Sequence, residues 1–198
     1  MKSTRLKAGV LTLHIEIKID CADSIVRTIN SQSDNSIKSL DIVSHGTPIS
    51  LNFSVIEDKN CGLYTSGFSR TLVWLYAPFD SEVNSPDNRS RKISEIDFAK
   101  FTEDARAEFH GCNAASWNPA LNSLVEEFSK NLFSSGKTRA VSIGHTEKAN
   151  PKIYGDKTTI PQQDYRHGER AIYHNGRLLY YTDKTGYISD DEISAKLN

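Results

Sequence analysis

No stretch of this 198-residue chain approaches the roughly 20 apolar residues that a membrane-spanning helix needs. The opening, MKSTRLKAGVLTLHIEIKID, is basic at first but then alternates apolar residues with His14, Glu16 and Lys18. It therefore has neither the unbroken apolar segment nor the small-residue cleavage site of a classical signal peptide. There is no excess charge of either sign: 24 Lys and Arg face 25 Asp and Glu, a formal net charge of −1. That balance leaves no basic field for nucleic acid and no acidic tail. Cysteine is scarce, and its count of three is odd, which argues against a disulfide framework and leaves at least one thiol free. A reducing compartment is the expectation: a protein that stays in the cytoplasm or is delivered from the producing cell into a target cell. Internal repeats and low-complexity segments are also missing, so residues 1–198 are read as a single domain.

What is present is an alternation of strand and helix signals. VLTLHIEIKI, residues 10–19, alternates apolar and polar residues and predicts a half-buried strand. In CADSIVRTINSQ, Ile25, Val26 and Ile29 recur at helical spacing, with Asp23 or Ser24 as caps. LDIVSHG is apolar on consecutive positions, as in a strand covered on both faces. SEIDFAKFTEDA predicts a short helix capped by Ser94, and RAEFHGC a third strand. In PALNSLVEEFSKNLFSSG, Pro119 suits a first helical turn, Leu121, Leu124, Val125, Phe128 and Leu132 form an apolar stripe, and Gly136 ends the helix. RAVSIGH predicts a fourth strand, and Asn175-Gly176 between two alternating runs predicts a hairpin. This order predicts an α/β three-layer domain: a mostly parallel sheet, helices on both faces and an antiparallel C-terminal hairpin.

Two predicted strands end abruptly on a reactive residue beside a glycine: DIVSHG at His45-Gly46 and AEFHGCN at Gly111-Cys112. In an open parallel sheet, catalytic groups gather at the carboxyl ends of the strands. A thiol needs a base or a depressed pKa to act as a nucleophile, and imidazole is the side chain that titrates near neutrality. Gly46 allows a sharp turn and an N–H aimed at a developing oxyanion, together with the N–H of Cys112. The order His then Cys excludes the papain arrangement, the strong helix after Cys112 argues against an all-β protease, and FHGCNAA is not a nucleophile elbow.

A strand ending in SHG, then a strand ending in GCN, a small-residue turn and an amphipathic helix resemble the caspase-like cysteine peptidases, which include caspases, gingipains, clostripain and the autoprocessing domains of large bacterial toxins. The resemblance covers about residues 37–148 and is strongest to bacterial members. It implies a caspase-like fold and a cysteine endopeptidase, of the kind found in bacterial toxins and effectors, that works through a thioester. His45 is then the general base, Cys112 the nucleophile, and Gly46 with the Cys112 backbone the oxyanion hole. Gly144, His145 and Thr146, leaving the next strand, are expected to line the substrate cleft. The expected partner is a protein or peptide substrate, with no cofactor, no metal and no nucleic acid; the pattern carries no oligomer signature. The alternative expectation is a catalytically silent domain that binds a peptide or partner through the same cleft.

Other signals are weaker. His45, His110, Cys112 and His145 are predicted to crowd one edge, yet no tight ligand spacing supports zinc. YTDKTGYISDDEI resembles a calcium loop, but Tyr181 stands where the first acidic ligand belongs. SSGKT reads as a helix stop, and Trp74 and Trp117 as core or cleft packing. Cys21 and Cys61 are expected to be dispensable for activity.

Overall fold

The computed structural model describes residues 19–56, 59–67, 88–117 and 121–197. The predicted strand at 10–19, apart from Ile19, and the apolar run around Trp74 lie outside the described residues, as does Pro119.

Helix α1, Ala22–Asn30, forms where the helical spacing predicts it and buries Ala22, Ile25, Val26 and Ile29. Its N-cap is Cys21, which makes no side-chain capping bond. Asp23 lies within the first turn, where the helix dipole favours a negative charge, and pairs with Arg27 at 3.4 Å.

Strand β1, Ile37–Val43, follows. The predicted 94–105 helix is instead two short 3-10 turns, Ile93–Glu95 and Phe98–Lys100, leading into a ten-residue strand that begins at Phe101 and takes up the predicted helix's last turn. Phe101 and Phe98 meet Phe128 edge-on, at 5.6 and 4.9 Å between ring centroids, and burial in this cluster outweighs the weak local helical pattern. That strand, β6 (Phe101–His110), pairs in parallel with β1 on one side and with β7 (Val141–His145) on the other. Strands β8 (Arg170–His174) and β9 (Arg177–Thr182) complete the sheet in antiparallel fashion, in the order β1-β6-β7-β8-β9. Their turn is Asn175-Gly176, both with positive φ (49° and 66°), as a two-residue hairpin of right-handed twist requires. β1 is thus an outer strand of the sheet, with Lys38, Ser39, Asp41 and Val43 exposed; its apolar run does not mean cover on both faces.

The two faces of β6 differ. Ala105, Ala107 and Phe109 belong to the main apolar core with α1 and with helix α2, Leu124–Ser134. Ser123 caps α2 by accepting from the Glu126 N–H, and the helix stops near Gly136 at φ 82°. On the opposite face Val141, Ile143 and Ile172 pack with Ile188 and with Ile193 of helix α3, Asp190–Leu197.

A second sheet interrupts this α/β frame between β1 and β6. Strands β2 (His45–Thr47), β3 (Ser50–Ile56) and β4 (Lys59–Tyr64) form an antiparallel meander, and β5 (Arg91–Lys92) joins β4 in parallel. No expectation covered this sheet, although Thr47-Pro48-Ile49-Ser50 followed by Leu51 and Phe53 carries a turn and alternation signal.

The cysteines correct the expectation of reduced thiols. Cys21, at the start of α1, and Cys61, on β4, form a disulfide with their Cα atoms 5.3 Å apart; both are fully buried. Packing of α1 against the second sheet brings them into bonding range, and Cys112 alone is free. Thiol titration of the denatured, unreduced chain is therefore expected to find one thiol; finding three would remove the bond. Replacing both Cys21 and Cys61 by Ala should cost about 2–4 kcal/mol in urea denaturation.

Candidate functional site

Strands β1 and β6 are neighbours and parallel, and they end level: Val43 pairs with His110. One residue beyond β1 the chain turns into β2 at His45, and beyond β6 it turns through Gly111 and Cys112. The two segments meet backbone to backbone. A Cβ on Gly46 would lie 2.7 Å from the Cys112 carbonyl oxygen and 2.8 Å from Gly111 Cα; one on Gly111 would lie 2.7 Å from Leu51 Cδ2 and 3.0 Å from Gly46 Cα. Only glycines permit this approach.

The hairpin sets the direction of the Gly46 amide. Thr47 and Ser50 flank a two-residue turn and form its hydrogen-bonded pair, so by alternation Gly46 and Leu51 are a non-hydrogen-bonded pair. The Gly46 N–H consequently points outward from β2, an outer strand of its sheet. Among the described residues no acceptor is bonded to the Cys112 N–H. Alternation also sends the His45 side chain to the side of β2 away from Gly111, so ring and thiol meet only around the free edge of the strand. His45 is exposed and Cys112 half-buried, and no hydrogen bond joins them among the described residues.

The turn after Cys112 is stitched to the chain leaving β7. Asn113 N–H donates to the Glu147 carbonyl at 2.8 Å, Ala115 N–H to the His145 carbonyl at 2.9 Å, and the Ser116 hydroxyl to the Thr146 carbonyl. Thr146 is fixed in turn by a 2.5 Å bond from its hydroxyl to Glu169. Gly144 and His145 differ from the expected cleft wall. Gly144 is buried because Val125 of α2 occupies the space a side chain would need, 2.5 Å from an added Cβ. His145 is 1% exposed and faces the other side of the sheet. These residues brace the Cys112 turn from behind. Trp117, in contrast, is 81% exposed, so its expected role in packing is also corrected.

On the His145 side, β6 presents Arg106, Glu108 and His110, all buried. Glu108 is met by Arg106 at 2.7 Å, Arg166 at 3.2 Å and Arg170 at 3.7 Å. Asp41, on β1, accepts from Arg166 at 2.5 Å and faces His110 Nε2 at 3.0 Å. Burial pushes the Asp41 carboxyl up, but the His110 hydrogen bond and the Arg166 charge outweigh it and hold it below the ordinary value. The Tyr165 carbonyl receives both His110 Nδ1 at 3.2 Å and His145 Nε2 at 2.8 Å. A carbonyl accepts only, so His145 donates from Nε2 and His110 from Nδ1.

Asp41, Glu108 and His110 place ligand atoms within 4.8 Å of one another. They do not suit a cation, because guanidinium groups already satisfy both carboxylates. The calcium-like loop is used in the same way: Arg170 donates to the Lys184 and Gly186 carbonyls, at 2.5 and 2.9 Å, and Arg106 to that of Ile188. Of the four residues expected to crowd one edge, the structure brings His110 and His145 together, 6.4 Å between ring centroids, on the face away from the Gly46 contact.

No helix among the described residues is long and apolar enough to cross a membrane. No protein-family model, curated protein or solved structure matches the chain.

Burial drives the His145 pKa below 6.5; the Tyr165 hydrogen bond opposes this only in part, and the charges of His110 and Arg170 reinforce it. A base whose folded pKa is depressed contributes stability that is complete above its unfolded value and is lost as pH falls below it. The urea midpoint is thus expected to fall as the pH drops from about 7 to about 5. His145→Gln, whose amide N–H can serve Tyr165 without titrating, should flatten that slope; an unchanged slope would exclude His145 as its source.

Proposed function

We propose that the chain is a cysteine endopeptidase of the caspase-like kind, with Cys112 as nucleophile and His45 as base. The observation that carries this reading is the backbone contact of Gly46 with Gly111 and Cys112. That contact joins the segment carrying the free Cys112 thiol, whose N–H has no bonded acceptor among the described residues, to the strand that carries the outward Gly46 N–H and the exposed His45. Supporting it are the level, parallel ends of β1 and β6, the helix that follows the Cys112 turn, and the antiparallel strands at the far edge of the sheet.

In this mechanism His45 takes the thiol proton and Sγ attacks the scissile carbonyl of an extended peptide. The oxyanion forms against the Gly46 and Cys112 N–H groups, which are fixed before the substrate arrives and so need no reorganisation as charge develops. Collapse breaks the C–N bond and the amine leaves with the proton held by His45. Water, deprotonated by the same base, then attacks the thioester, the C–S bond breaks, and Sγ regains its proton from His45 as the acid product leaves. The mechanism requires the His45 ring to come around the β2 edge to the thiol, and catalytic hydrogen bonds commonly tighten only with substrate bound.

The test is alkylation and turnover together. Iodoacetamide at neutral pH is expected to label Cys112 faster than a free-cysteine standard, and Cys112→Ala to abolish peptide cleavage with the fold retained. Gly46→Ala should lower kcat by about 10²-fold, since its Cβ meets backbone atoms that cannot yield without displacing the oxyanion donors. A sluggish Cys112 in a protein that still binds peptide would select the catalytically silent domain instead.

A further inference from the structure

The turn that carries Cys112 depends on a residue in a conformation that side chains avoid. Asn113 has φ 58°, in the left-handed region, while Cys112 before it does not. Ala114 N–H donates to the Gly111 carbonyl at 3.4 Å, closing a four-residue turn with Cys112 and Asn113 at its centre. A left-handed third residue after an ordinary second one is the type II pattern, in which the central peptide is turned over relative to the commoner type I.

That central peptide joins Cys112 to Asn113, and both its polar groups are placed. The Cys112 carbonyl oxygen fills the space beside Gly46, 2.7 Å from where a Cβ would be. The Asn113 N–H donates to the Glu147 carbonyl at 2.8 Å. The Asn113 side chain is held as well, its Oδ1 3.3 Å from the Ser116 hydroxyl that also bonds Thr146.

We propose that Asn113 is a positioning residue for Cys112: its left-handed backbone keeps the Cys112–Asn113 peptide spanning Gly46 and the chain leaving β7, and so fixes the backbone from which the thiol projects. This rests on the reading of Cys112 as a nucleophile. Asn visits the left-handed region because its short polar side chain bonds locally, and glycine enters it without steric penalty. Alanine or serine does so less readily and favours the type I alternative. There the central peptide rotates, the carbonyl leaves Gly46, the N–H leaves Glu147, and the Cys112 N–H and Sγ move with them.

The experiment compares Asn113→Ala and Asn113→Gly with the unaltered protein. It measures the iodoacetamide rate at Cys112, the only free thiol among the described residues, together with kcat and KM for peptide cleavage and the melting temperature. Asn113→Ala is expected to lower the alkylation rate and kcat by at least about 10-fold while KM stays within about 3-fold. Asn113→Gly should restore both rates to within about 3-fold of the unaltered protein, all rates being compared well below the lowest melting temperature of the set. If Asn113→Ala does not fold, Asn113→Ser takes its place. An alanine variant that alkylates and turns over normally, or a glycine variant as slow as the alanine one, overturns the proposal. A protein that cleaves no peptide in a Cys112-dependent way defeats the peptidase reading, while the alkylation rates still decide the role of Asn113.

Discussion

Glu108 is a carboxylate at 2% exposure near the end of the interior strand β6, and the architecture of one whole face follows from it. An ion so placed is tolerable only if opposite charge and hydrogen bonds replace the water it has lost, and three guanidinium groups, from Arg106, Arg166 and Arg170, do so. Each arginine then needs acceptors of its own. Arg166 finds Asp41 on the outer strand β1, Arg170 takes the Lys184 and Gly186 carbonyls, and Arg106 takes that of Ile188 and lies over the Tyr187 ring at 4.1 Å. In this way one buried charge ties β1, β6, β8 and the segment before α3 into a single network. Such a network favours one arrangement over others, because removing any partner leaves a buried charge uncompensated.

The opposite face of β6 obeys a different rule. Phe109 packs on Phe128 at 5.0 Å between centroids, within an apolar cluster that holds α1 and α2. Burial of apolar area supplies the driving force there, while the charged face contributes definition more than stability. The candidate site lies where the two regimes meet, at the level ends of β1 and β6. Its geometry depends on missing side chains: Gly46 and Gly111 let two backbone segments touch, Gly144 lets α2 press against the strand behind them, and the buried His110 and His145 hold the Tyr165 carbonyl on the far side. The Cys112 turn is thus braced on two sides by elements that carry neither His45 nor Cys112.

Elements whose signal is local were legible in the sequence. Helices α1 and α2, strands β1, β6 and β7 and the Asn175-Gly176 hairpin follow from apolar spacing, caps and glycine placement, which act within a few residues of one another. The placement of His45-Gly46 beside Gly111-Cys112 was legible for the same reason, since a parallel pairing of two short strands brings their ends together. What failed was whatever depended on distant partners. The 94–105 segment has a weak helical pattern, but its Phe98 and Phe101 are claimed by Phe128; the apolar β1 sits at an edge; Cys21 and Cys61 meet only because α1 packs on the second sheet.

Composition and order alone determined that the chain forms an α/β domain in which the segments around Gly46 and Gly111 adjoin, because strand and helix periodicity and chain connectivity are local properties. Only the tertiary structure decided which glycine touches which backbone, which face of the sheet carries charge, and that Gly144 and His145 support the Cys112 turn instead of lining a cleft. Those outcomes depend on side chains separated by tens of residues competing for the same few ångströms. Packing and buried-charge compensation settle such contests, and neither leaves a periodic mark along the chain.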